Sequence, residues 1–170
     1  MKKLLFVIAL SASTFSSISM AADLAQDDRQ VIETRLTKMS NAFKNNDFSE
    51  SVRIMPPKLI DFLAKQSNAT SDQLKNALIE MSNAVGQQVT VESYSYDLSV
   101  AQAEKSSSGR DYVFVPTHLK AKANGQAAEQ KGYLLGIEDD NQWHFVNWDQ
   151  QYIPIIKQVF PDLADIKAPK

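Results

Sequence analysis

The chain has 170 residues, a formal net charge of −2 and no cysteine. A weakly acidic chain without a basic cluster is a poor candidate for binding nucleic acid or anionic lipid. The lack of cysteine excludes disulfides, thiol catalysis and cysteine-ligated metal, so packing must stabilise the fold. The length suits one domain with a substantial core.

The N-terminal residues have the three-part layout of a secretory signal peptide. Two lysines follow the initial methionine, residues 4–10 form an apolar stretch too short to span a bilayer, and small residues precede a cleavage site after Ala21. We therefore expect a signal peptide over residues 1–21 and a single mature domain over residues 22–170. Together with the absence of cysteine, this layout predicts a location in the bacterial periplasm.

Apolar residues recur at helical spacing through the first half of the mature chain. These stripes predict four helices, over residues 27–45, 47–55, 58–65 and 71–86. Thr70 or Ser71 is expected to cap the fourth helix and Gly86 to end it. An apolar face at helical spacing is usually core, so we interpret all four stripes as core.

Strand patterns occupy the second half of the chain. Alternation from Val89 to Val100 predicts a half-buried strand, and the stretch from Asp111 to Asp149 predicts three more in an antiparallel meander. Asn124-Gly125 favours a two-residue hairpin turn, and residues 139–141 mark a second turn. Pro154 begins a short closing helix. Helices followed by about four antiparallel strands and a short C-terminal helix predict an α+β domain.

The hairpin turn at Asn124-Gly125 allows cross-strand partners to be counted directly. The predicted pairs are Lys120 with Glu129, His118 with Lys131, Pro116 with Tyr133, Phe114 with Leu135, and Tyr112 with Ile137. These ten residues lie on one face, which is apolar away from the turn and charged near it. We interpret this face as an aromatic pocket lined by Tyr112, Phe114 and Tyr133, with His118 at its rim.

The order of elements resembles the NTF2-like, or cystatin-like, α+β roll, in which a curved sheet wraps around a long N-terminal helix. The runs VPTHL, GYLLGI, WHFVNW and VFPDL also resemble those of signal-peptided bacterial domains of uncharacterised function. This resemblance covers about two-thirds of the mature chain by pattern. It implies a fold and little about activity, because the roll hosts isomerases, cyclases, binding modules and subunits of transport or secretion machines.

Four side chains could carry chemistry or contact a ligand. His118 could act as a general base, because histidine titrates near neutral pH unaided, or it could be a half-solvated strand residue. Tyr94 and Tyr96 share a face and could donate to an oxyanion, or they could be core tyrosines with their hydroxyls at the rim. His144 is predicted to point opposite to Trp143. Two isolated histidines without clustered carboxylates do not predict a metal site or a cofactor.

Two polar segments of the second half are interpreted as surface structure. Residues 105–110 are predicted to form a flexible loop, and residues 138–140 a solvated acidic turn. Asp111 is expected to form a surface pair with Arg110.

These observations favour a periplasmic, non-enzymatic binding domain that uses the concave aromatic face of the sheet for a small apolar molecule or a protein partner. The candidate contact residues are Tyr94, Tyr96, Tyr112, Phe114, His118, Tyr133 and Trp143. One alternative is a small isomerase or cyclase with a tyrosine or His118 in the cone. Another is an immunity protein against a toxin delivered to the periplasm. A homodimer through the sheet also remains open.

Overall fold

The computed structural model describes residues 24–169, so the predicted signal peptide over residues 1–21 lies outside the described residues. The helices are α1 (Gln26–Lys44), α2 (Ser49–Arg53), α3 (Pro57–Gln66), α4 (Ser71–Gln88) and α5 (Ile153–Val159). The strands are β1 (Val89–Tyr96), β2 (Ala103–Lys105), β3 (Asp111–Ala123), β4 (Gln126–Asp139) and β5 (Gln142–Asn147), and a 3₁₀ helix spans Pro161–Leu163. The predicted α+β architecture is confirmed.

The strands form one strongly curled antiparallel sheet in the order β1–β3–β4–β5. The additional short strand β2 pairs with the start of β3. It lies on the same edge of β3 as β1, which pairs with the later residues of that strand. The predicted strand from Val89 to Val100 ends early, at Tyr96. Its end has a local cause, because the Asp97 carboxylate accepts hydrogen bonds from the backbone N–H and the hydroxyl of Ser99 and turns the chain.

The predicted β3–β4 hairpin is confirmed in turn and register. Asn124 and Gly125 have φ angles of +51° and +78°, as a type I′ turn requires. All five predicted cross-strand pairs are present. Two-residue loops of this type join strands without splaying them, so the turn alone sets which side chains share a face.

Pro116 lies in the central strand, where a proline would normally remove a ladder hydrogen bond. Its carbonyl accepts a hydrogen bond from the N–H of Asp97, so its backbone polar groups face the β1 edge. Pairing with β1 ends at Thr117, and pairing with β2 begins only at Val113. The missing N–H therefore faces the gap between the two strands, and no ladder bond is lost.

Each face of the sheet carries its own apolar cluster. We call the side that packs on α1 the α1 face; its buried residues include Leu36, Met39, Val113, Val115 and Phe145. We call the opposite side, which packs on α3, α5 and the 3₁₀ helix, the α5 face; its buried residues include Leu59, Phe114, Leu135, Ile156 and Phe160. Both sides of the central strands are therefore covered by helices.

Helix α4 packs on α2, α3 and the start of β1. The predicted cap is confirmed at Thr70, whose hydroxyl accepts from the N–H of Gln73 while the Gln73 side chain accepts from the N–H of Thr70. The prediction that Gly86 ends the helix is wrong, because α4 continues to Gln88. A side chain at Gly86 would place its Cβ 2.0 Å from the carbonyl oxygen of Asn46, so glycine is needed for close approach.

An ionic network around the buried Asp139 joins the turn between β4 and β5 to the C-terminal segment. Arg110 donates to Asp139 at 2.7 Å and to Asp162 at 2.9 Å, and Lys58 donates to Asp139 at 2.6 Å. Burial raises the pKa of Asp139, but hydrogen bonds from Lys58 and Arg110 outweigh it and hold the pKa below its ordinary value. Asp139 is thus buried, and the prediction of a wholly solvated acidic turn is wrong.

The same network corrects two further expectations about the polar segments. The Ser106 hydroxyl is buried and donates to Asp162 at 2.8 Å, so the segment 105–110 is tied to the C-terminal segment. Asp111 pairs with Lys105 at 2.7 Å instead of with Arg110. Arg110 is engaged elsewhere because the hairpin register, continued by two residues beyond Tyr112 and Ile137, brings it opposite Asp139.

Candidate functional site

The predicted aromatic face is largely filled by the protein's own C-terminal segment. Tyr112 and Phe114 lie on the α5 face and are only 5% and 4% exposed. The Phe114 ring makes edge-to-face contacts with Trp148 at 5.1 Å and with Tyr133 at 6.1 Å between ring centroids. These aromatic side chains form core beneath α5, and only Tyr133 and Trp148 remain partly accessible.

His118 lies on the same face, nearer the hairpin turn. Its Nε2 is 2.6 Å from Oε1 of Glu129, its diagonal neighbour across the hairpin. The hydrogen bond with His118 lowers the pKa of Glu129. This pair is partly exposed, and His118 lines neither of the two cavities described below.

The other three predicted residues belong to the α1 face. Tyr94 is buried beside Phe43, with ring centroids 4.8 Å apart, and burial raises the pKa of its hydroxyl. The hydroxyl of Tyr96 is 2.7 Å from that of Thr37, and the indole N–H of Trp143 donates to Asp28 at 2.9 Å. The structure therefore divides the seven predicted residues between two faces and does not bring them into one pocket.

An open groove lies between α4 and the sheet. Its main cavity has a volume of about 200 Å³. The residues that line it are Met39, Ser51, Val52, Ile54, Met55, Leu78, Met81, Ser82, Val85, Leu134, Phe145, Val146, Asn147 and Tyr152. The lining is mostly apolar, with a few hydroxyl and amide groups, which is the usual composition of a small-molecule site.

A smaller cavity of about 100 Å³ adjoins the main one on the side of the hairpin. The two share Met39, Ser51, Leu134 and Asn147. The smaller cavity is further lined by Phe43, Tyr94, Thr117, Leu119, Gln130, Gly132, Tyr133, Trp148 and Asp149. Of the seven predicted residues, only Tyr94 and Tyr133 line either cavity.

The α4 wall of the groove was missed by the sequence interpretation. Met81 and Val85 are 59% and 45% exposed, although they belong to an apolar stripe that we expected to be core. The floor opposite is fully packed, since Leu134 and Phe145 are 4% and 1% exposed. A stripe at helical spacing does not reveal whether its neighbour lies in contact or across a gap, so the pattern held no signal for the groove.

A third cavity of about 190 Å³ lies between α2, α3 and α4 and is lined by His144 among others. His144 is buried, and as predicted it points away from the side of the sheet that Trp143 faces. Its Nδ1 has no hydrogen-bond partner among the described residues. Burial lowers the pKa of His144, and the nearby Arg35 lowers it further.

Within residues 24–169, no group of three or more His, Cys, Asp or Glu side chains is placed to hold a metal ion. No helix in the same range is both long enough and apolar enough to cross a membrane. The sequence matches no protein-family model, and a search of curated proteins also finds no match. The geometry of the groove is therefore the basis for assigning it a binding role.

Proposed function

We propose that this protein is an exported, NTF2-like binding domain that holds a small apolar molecule in the groove between α4 and the sheet. The observation that carries the proposal is the exposed apolar wall of α4, which stands across a cavity from a buried apolar floor. The proposal moves the binding site from the aromatic face predicted from the sequence to the opposite side of the sheet.

An apolar ligand in the groove would remove water chiefly from the α4 wall, because the floor is already buried. Burial of apolar surface contributes roughly 25 cal/mol per Å². Met81 and Val85 expose much of their side chains to the groove, so a ligand that covers them has surface to remove from water. The two adjoining cavities together approach the lower limit of the roughly 300–1,000 Å³ that small-molecule sites occupy, which favours a compact ligand.

Polar groups at the groove favour a ligand with one polar end. The polar residues among the apolar lining are Ser51, Ser82, Asn147 and Tyr152. A few such groups in an apolar site fix the orientation of a ligand. A molecule with an apolar body and a single hydroxyl, amide or carboxyl group fits this composition.

The N-terminal sequence supports a location outside the cytoplasm. The lysine pair, the short apolar stretch and the small residues before Ala22 have the pattern of a cleaved secretory signal. We propose the periplasm as the compartment, since a chain without cysteine folds there without disulfide pairing.

The test compares two valines of similar exposure. Val85, in the groove wall, is 45% exposed, and Val31, on α1 outside both cavities of the groove, is 43% exposed. We expect the wild type to bind N-phenyl-1-naphthylamine, an uncharged apolar fluorophore, with one molecule per chain. The double variant Met81→Ser/Val85→Ser should bind about tenfold more weakly, because a loss of roughly 1.4 kcal/mol corresponds to one decade in Kd.

The control variant Val31→Ser should bind the fluorophore like the wild type. Fluorescence titration gives the affinities, and circular dichroism verifies that all variants are folded. Equal weakening by Val31→Ser, or unchanged binding by the double variant, would show that the fluorophore does not occupy the groove and would overturn the proposal.

A further inference from the structure

We propose that the free edge of β4, residues 126–132, binds an extended acidic peptide segment of a partner protein, with one apolar side chain of that segment in the smaller cavity. This interaction goes beyond the proposed function. It shares the smaller cavity with the proposed ligand site, but it is carried by the edge of the sheet and not by the α4 wall.

The free edge exists because β5 is much shorter than β4. Pairing between β4 and β5 covers only Leu134 to Asp139. One more hydrogen bond joins the N–H of Trp148 to the carbonyl of Tyr133 at 2.9 Å, and the chain then turns away at Asp149. From Gln126 to Gly132, β4 has no neighbouring strand on this side among the described residues.

The register shows which backbone groups of the free edge point outward. The carbonyl of Tyr133 faces away from β3, because it bonds to Trp148. Outward and inward residues alternate along an antiparallel strand, so the N–H and C=O groups of Ala127, Glu129 and Lys131 also face away from β3. These groups are the donors and acceptors that an added strand uses.

The smaller cavity reaches this edge on the α1 face. Gln130, Gly132 and Leu119 line it together with Trp148. A Cβ added at Gly132 would meet no atom within 4 Å, so open space lies above this residue. A strand beside β4 alternates its side chains between the two faces, and the residue opposite Gly132 would extend its side chain into this space.

The charges on the other face of the edge favour an acidic segment. Lys131 forms no salt bridge with the described residues, and Lys120 lies on the same face with its Nζ 3.9 Å from Glu129. Two lysines thus stand beside one glutamate, so positive charge is in excess next to the edge. Glutamate or aspartate opposite Lys131 would complement that charge.

A second copy of the chain does not fit in the register that would pair its charges. Antiparallel pairing of two β4 edges with Lys131 opposite Glu129 would place Ala127 opposite Tyr133 of the other copy. That place is already taken by Trp148, which bonds to Tyr133. A separate peptide segment that ends or turns at Trp148 meets no such obstruction.

The probe for the test is a fluorescein-labelled octapeptide of alternating valine and glutamate, with its valine–lysine counterpart as a control. We expect the acidic peptide to bind measurably by fluorescence anisotropy and the basic peptide at least tenfold more weakly. Amide exchange followed by NMR should show new protection at Ala127, Glu129 and Lys131. The amides of Ala128 and Gln130, which already face β3, should change little.

Three variants separate the contributions of the backbone, the charge and the cavity. Lys131→Pro removes an outward N–H without removing a β3–β4 ladder bond, whereas Lys131→Ala removes only the charge. Gly132→Leu fills the open space at a φ that leucine accepts, so the domain should stay folded. We expect at least tenfold weaker binding from Lys131→Pro and from Gly132→Leu, and a smaller loss from Lys131→Ala.

Several results would overturn the inference. The inference fails if the acidic peptide does not bind at millimolar concentration, or if binding protects amides elsewhere. It also fails if Gly132→Leu binds the peptide like the wild type, or if the wild type forms a dimer that protects the same three amides. The fluorophore titration of the wild type and of Met81→Ser/Val85→Ser distinguishes this failure from failure of the groove, since Met81 and Val85 line the main cavity and not the smaller one. If Lys131→Pro proves unfolded, Gly132→Leu and the exchange pattern still decide the matter.

Discussion

Helices α1 and α4 are nearly equal in length, at 19 and 18 residues, and both carry an apolar stripe at helical spacing. Five residues of α1 are buried: Ile32, Leu36, Met39, Ser40 and Phe43. None of the residues of α4 is buried to the same degree. Two similar patterns thus serve different purposes, one as core and the other as the wall of an open groove.

The difference follows from what each helix faces. Helix α1 lies directly on a sheet face, where Val113, Val115 and Leu134 meet its stripe. Helix α4 is held mainly by the short helices α2 and α3, and its stripe is separated from the sheet by the cavity. The periodicity of a stripe indicates that a face is apolar, whereas burial depends on the distance to the next layer.

The largest expected effect compares one leucine from each helix. Leu36→Ala in α1 removes a side chain with 0% exposure, so it should destabilise the domain by about 2–5 kcal/mol. Leu78→Ala in α4 removes a partly exposed side chain that lines the groove, and we expect a loss of about 1 kcal/mol or less. Urea unfolding of both variants measures the difference.

Equal losses would show that α4 is packed as tightly as α1 and that the groove is closed in solution. Leu78→Ala should in addition weaken binding of the fluorophore, whereas folded Leu36→Ala should not change it, because Leu36 lines neither cavity of the groove.

The hairpin shows how far the sequence predicts the fold. Asn124 and Gly125 fix the turn, the turn fixes the register, and the register correctly divides the side chains of β3 and β4 between two faces. Each step depends on neighbouring residues or on a short-range pairing rule. The helix positions and the cap at Thr70 are predictable for the same reason.

The candidate site was less predictable because it depends on which element covers which face. The sequence correctly grouped Tyr112, Phe114 and Tyr133, but nothing local indicated that α5 and Phe160 would lie on them. The burial of Asp139 was not predicted either. Its place in a turn suggested solvent. The hairpin register brings Arg110 opposite it, but Lys58 reaches it from a remote part of the chain. Such long-range contacts leave no periodic pattern.

A second prediction tests where α4 is attached. Helix propensity alone predicts that Gly86→Ala stabilises α4 by up to about 1 kcal/mol. The approach of its backbone to the carbonyl of Asn46 leaves no room for a methyl group, so we expect a net loss of about 1–3 kcal/mol instead. Asn83→Ala, at an exposed position of the same helix, is the control and should be neutral or slightly stabilising. Thermal unfolding of both variants measures this, and a stabilised Gly86→Ala would contradict the contact.

The smallest expected effect is a pH dependence from His144, which lines the cavity beneath α4. Burial and Arg35 lower its pKa in the folded protein, and the carboxylates of Asp139 and Asp140 only partly oppose them. Because the unfolded chain then binds a proton more readily, the free energy of unfolding should fall as the pH drops below about 6.5. Above that pH both states are neutral at this residue and the contribution is constant. His144→Gln should flatten the profile between pH 7 and pH 5. Urea unfolding across this range measures the profile. Hydrogen exchange should show that the acid-induced loss begins in the helices around the His144 cavity, α4 among them, and spares α1, which does not border it. A wild-type profile that is flat, or that rises as the pH falls, would mean that His144 is not held neutral in the fold.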